Sequence, residues 1–135
     1  MQYINVTIEL LKAYSSTKRM KELLALAIWF KMQHSNSVIW NVTTFKLRKG
    51  LHIGKVKAER LIRDMKDSDL FSVEGNKVVV SSFRDHTTKW TKKGREYRGA
   101  MVCKFEVREY TMKELYNLIN EKLFVYPICA AEYKD

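Results

Sequence analysis

The chain is poor in the residues that most often mark a chemistry: one proline, five glycines, two cysteines and three histidines among 135 residues. Two cysteines, Cys103 and Cys129, make no disulfide framework, and a reducing cytoplasm is the simpler setting. His34, His52 and His86 are scattered, and no His/Cys/carboxylate spacing suggests a metal site. Gly50 and Gly54 lack the Gly-Lys-Ser/Thr pattern of a phosphate-binding loop, since Val56 follows Gly54-Lys55. No serine or cysteine sits in a nucleophile motif, and an active site needs a convergent acid/base set. The expectation is a protein that is not an enzyme and needs no cofactor. Long apolar runs are missing too: the best candidate, 23–30, is far too short to cross a bilayer and is flanked by charge, so no membrane is expected. The first dozen residues show no basic start followed by an apolar core, which argues against secretion.

What is present fits a globular fold. Hydrophobic residues make up 46% of the chain and aromatic ones 12%, and the length suits a single domain over 1–135. Residues 3–10 alternate, with Ile4, Val6, Ile8 and Leu10 on one face, as a half-buried strand would. Ser15, Ser16 and Thr17 offer caps for a helix from about 18 to 33, with Met20, Leu23, Leu24, Ala27, Ile28 and Met32 inward. A short β-prone stretch follows at 37–42, and Thr43 or Thr44 can cap the next helix. Ala58, Leu61, Ile62 and Met65 share the apolar face of a further helix. Gly75-Asn76 between two strand-like runs signals a tight hairpin, pinned to the core by Phe71, Val73, Val78, Val80 and Phe83. Residues 84–99 read as a long basic loop or a second hairpin. A strand at about 100–108 then leads to Thr111-Met112-Lys113-Glu114, a capping box that starts a helix to about 123. Pairing the first strand with the 100–108 strand would cover both unpaired edges.

The net charge of +10 is concentrated. Residues 46–63 carry Lys46, Arg48, Lys49, Lys55, Lys57, Arg60 and Arg63 against Glu59 alone. Residues 84–98 carry Arg84, Lys89, Lys92, Lys93, Arg95 and Arg98 against Asp85 and Glu96, and elsewhere the signs balance. Such a distribution is the footprint of a polyanion surface more than of solubility.

The stretch 45–83, two short helices meeting at a tight turn and then a hairpin, resembles a winged helix-turn-helix domain, in the style of small phage or mobile-element proteins. The resemblance implies an α+β fold: a winged helix-turn-helix core at about 17–83, an added N-terminal strand, a basic loop, a further strand and a C-terminal helix at about 100–124. It also places Ile53 at the apolar turn position, and Gly54 at the N-cap of a recognition helix 54–66, where Ser or Thr is commoner. His52 falls where the family often has glycine. What the resemblance implies of function is binding to duplex DNA in transcriptional regulation or replication, in the cytoplasm (that of the host if phage-encoded). The recognition helix would enter the major groove, and the wing, 71–83, would touch the flanking backbone. Lys55, Lys57 and Arg60 would then face bases, with Arg60 able to grip guanine in two places. Lys46, Lys49, Arg63 and Lys77 would hold phosphates.

Two other functions fit the composition. Trp90 and Tyr97 lie among Lys89, Lys92, Lys93, Arg95 and Arg98, the makings of a sequence-nonspecific single-stranded DNA groove in which rings stack and cations hold phosphate. The same two rings serve equally well as anchors of a long hairpin. A winged-helix protein-interaction or virion component is the third reading. A homodimer through the C-terminal helix and the tail 124–135 is a further expectation. The DNA reading requires the basic residues to converge on one exposed side, with Lys55, Lys57 and Arg60 clear of acidic neighbours.

Overall fold

Threonines open every helix but the one over Lys55–Lys66 among the described residues. In the computed structural model, which describes residues 2–34, 36–83, 89–91, 94–96 and 102–125, Thr7, Thr17 and Thr43 each accept a hydrogen bond from a backbone N–H three residues on. Those bonds satisfy donors that a helix start leaves unpaired. Thr111 and Glu114 close the reciprocal version, at 3.1 and 2.8 Å. The result is a mixed α+β fold. Its elements run β1 (Tyr3–Thr7), α1 (Ile8–Ala13), α2 (Lys18–Gln33), β2 (Val38–Trp40), α3 (Thr44–Leu51) and α4 (Lys55–Lys66). They continue with β3 (Phe71–Glu74), β4 (Lys77–Val80), β5 (Lys89–Thr91), β6 (Gly94–Glu96), β7 (Val102–Glu106) and α5 (Met112–Val125).

Among the described residues three antiparallel sheets form. β1 pairs with β7, Ile4 opposite Phe105, so the chain's outer strands do cover one another. β2, β4 and β3 make a three-stranded sheet in that order, and β5 pairs antiparallel with β6 within the 84–99 stretch. The β3–β4 turn takes its positive φ at Gly75 (+58°), and Asn76 stays at ordinary φ. Phe71, Val78, Val80 and Phe83 are buried and Val73 is half-buried, as the hairpin reading requires.

One expectation needs correcting. The first strand stops at Thr7, and residues from Ile8 to Ala13 are helical. Short alternation is ambiguous. Among the described residues β7 runs from Val102, opposite Thr7, and Ile8 onward has no ladder partner there; the Thr7 hydroxyl caps a helix instead. In α2 the expected inward residues Leu23, Leu24, Ala27 and Ile28 are buried, and burial extends further, over all of residues 22 to 30. The helix packs against α4, α5, β1 and β4 at once. A helix enclosed on all sides shows weak periodicity, so spacing alone understated its burial.

Candidate functional site

The α3–turn–α4 unit organises the basic residues. Leu47 and Leu51 turn inward from α3, and Ala58, Leu61 and Met65 from α4. Between them His52 adopts a left-handed conformation (φ 55°, ψ 52°), and half-buried Ile53 packs on the core. Gly54 caps α4 by its backbone, without a side-chain bond.

The packing divides α4 into three faces. Lys57, Arg60 and Asp64, spaced i, i+3 and i+7, face α2. There Glu22, only 1% exposed, receives both Lys57 Nζ (2.8 Å) and the Arg60 guanidinium. Three residues earlier on α2, Arg19 grips Asp64 through two hydrogen bonds of 2.6 and 3.1 Å. The Asp64 hydrogen bond and charge hold the Arg19 guanidinium above its ordinary pKa. Lys57 and Arg60 are therefore committed to an acidic neighbour, and the condition set on them by the sequence reading fails. Arg60 Nε, itself buried, has no partner among the described residues.

The outward face is different. Lys55, Glu59 and Arg63 follow at i, i+4 and i+8, exposed, with Val56 beside them at 79% exposure. On α3, Lys46, Arg48 and Lys49 are exposed as well. Among the described residues none of Lys46, Arg48, Lys49, Lys55 or Arg63 is ion-paired. Lys46 Nζ donates to the Trp40 carbonyl at 2.9 Å, and Lys77 lies 3.9 Å from Glu74 at the hairpin end.

The second basic window is described only in part. Lys89 and Trp90 belong to β5 and Arg95 to β6, with Trp90 opposite Arg95 in the ladder. Lys92, Lys93, Tyr97 and Arg98 lie outside the described residues, as does the tail beyond residue 125. α5 buries Met112, Leu115 and Ile119 and leaves Phe124 85% exposed.

A cleft of about 520 Å³ between α2, the turn and α5 is lined by Lys18, Glu22, Lys57, Lys113 and Tyr116 among others, so both signs of charge meet there. No group of three potential metal ligands occurs among the described residues, and no helix among them is long and apolar enough to cross a membrane. Comparison with known protein families, curated proteins and solved structures gives no match.

Three residues that matter here were not singled out by the sequence reading: Glu22, Trp40 and Phe45. Glu22 had a faint signal, as a lone carboxylate entering the run Leu23 to Phe30. Trp40 had a clearer one, because an inward Ile39 on a strand sends its neighbour outward.

Proposed function

We propose that the chain is a winged-helix DNA-binding protein acting in transcriptional regulation or replication through binding alone, and that its recognition element is the outward stripe of α4. The observation that carries this reading is the order helix, strand, helix, helix, hairpin, with sheet order β2-β4-β3 and unpaired cations on the solvent side of α3 and α4. The pairing of Lys57 and Arg60 with Glu22 ends the reading in which those two residues face DNA, and the proposal rests on the other cations of α3 and α4 alone. Lys57 and Arg60 seat α4 on α2 through Glu22 and do not read bases. Base-facing positions pass to Lys55, Val56, Glu59 and Arg63: a methyl-bearing side chain suits thymine, a carboxylate suits the cytosine amino group, and arginine suits guanine. Lys46, Lys49 and Lys77 hold phosphates and set the position without reading sequence.

The test is an anisotropy titration against duplex DNA, single-stranded DNA and RNA at several salt concentrations. Duplex affinity should fall with salt at a log–log slope of about −0.9 for each phosphate held. Charge reversal at Lys55 and Arg63 should abolish duplex binding. No binding to any of the three at low salt overturns the proposal and favours a protein partner.

A further inference from the structure

Trp40 and Phe45 expose 58% and 66% of their surface, though Ile39 and Leu47 nearby are almost wholly buried. Local geometry forces both rings out. A strand alternates, so the inward Ile39 points Trp40 to solvent. On α3, Phe45 lies two positions before the inward Leu47, roughly 160° round the helix.

Lysines edge both rings. Trp40 sits opposite Lys77 in the β2–β4 ladder, and Lys77 Nζ is 6.0 Å from the indole centroid. Lys49 Nζ lies 5.8 Å from the centre of Phe45. Lys46, by its bond to the Trp40 carbonyl, ties the first turn of α3 to the end of β2. Among the described residues, Glu74 is the one carboxylate paired with any of these lysines, and it is itself 71% exposed.

We propose that Trp40 and Phe45 are a stacking platform for unpaired bases, with Lys46, Lys49 and Lys77 on the adjoining phosphates. The surface takes a short single-stranded segment of nucleic acid leaving the duplex. This rests on the nucleic-acid reading above and deepens it. Stacking is tolerant of sequence because every base has a π-face, and the lysines match the phosphates that follow each base. An apolar protein partner fits poorly, since it would strip water from three ammonium groups without pairing them. An acidic peptide would use the lysines but give the ring faces nothing to stack on.

The experiment compares a blunt duplex with the same duplex carrying a short oligothymidine extension, and adds an oligoglutamate peptide as a third probe. Wild type, Trp40→Ala, Phe45→Ala and the conservative Trp40→Phe are each titrated. Both rings are exposed, so the variants should keep the wild-type melting temperature. Wild type should prefer the extended probe. Each alanine variant should lose about fivefold to about a hundredfold on that probe, per stacked base, and little on the blunt one. Trp40→Phe should retain most of the preference. If wild type binds both DNAs equally and the alanine variants change neither, the platform is refuted while the nucleic-acid reading stands. Loss on both DNAs by the same factor also refutes it. If wild type binds neither DNA, the underlying reading falls. Binding of oligoglutamate that is lost in both alanine variants reassigns the patch to an acidic protein.

Discussion

Removing the partners of Glu22 should do more damage than removing Glu22 itself. The carboxylate is 1% exposed, while the Lys57 and Arg60 side chains keep 34% and 29% of their surface in solvent. In Lys57→Met/Arg60→Met the carboxylate stays buried with neither of its paired cations, only the more distant charge of Arg19 remaining, a loss of about 3–5 kcal/mol. For a chain of this length, at about 3–5 °C per kcal/mol, melting should fall by roughly 10–25 °C. In Glu22→Gln one cation turns toward water while the other still donates to the amide oxygen, so the cost is only about 1–2 kcal/mol. Replacing all three by methionine should bring stability back to within about 1 kcal/mol of wild type or above it, because an apolar cluster avoids desolvating charges. Urea denaturation of the four proteins gives the comparison. Equal losses in the double variant and in Glu22→Gln would show that Glu22 does not depend on these two cations.

Three further outcomes follow from the packing. A Cβ added at Gly54 would meet nothing within 4 Å, and this glycine caps α4 without a side chain, so Gly54→Ser should stabilise by a few tenths of a kcal/mol, read as a small rise in melting temperature. A Cβ at Gly50 would sit 2.2 Å from Cζ2 of the buried Trp29 indole. Overpacking of about 1–3 kcal/mol should outweigh the helix-propensity gain of about 1 kcal/mol, and a Gly50→Ala protein more stable to urea than wild type would contradict the contact. Burial pushes the Cys103 thiol up to about 11 from its ordinary 9.0. A thiol that keeps its proton longer when folded contributes stability that is whole below the unfolded pKa and is lost as pH rises through the folded one. Stability should therefore drop between about pH 9 and about pH 11, by roughly 2–3 kcal/mol more in wild type than in Cys103→Ala. Parallel pH curves would count against it.

Much of the architecture is legible in the residues because it depends on local rules. Thr17 and Thr43 mark helix starts, Gly75 marks a turn, and the faces set by Leu47 and Leu51 or by Ala58, Leu61 and Met65 follow from spacing. Even the β1–β7 pairing follows from two one-faced strands with open edges. Illegible were the features that need three dimensions. The extent of β1 depends on its register with β7, far along the chain. The basic character of α4 is visible in sequence, but its division between an outward stripe and a flank held by Glu22 requires knowing which side of α4 meets α2. Composition treats Lys55 and Lys57 as equals; packing does not. Trp40 and Phe45 are the reverse case, since alternation beside Ile39 and helical spacing from Leu47 both send them outward.

The central claim concerns a surface, and mapping amide chemical shifts on titration with duplex DNA tests it most directly. Saturable shifts should gather in α3, along the outward stripe from Lys55 to Arg63 and at the β3–β4 turn, leaving α5 unmoved. Shifts confined to α5, or none at low salt, would contradict it.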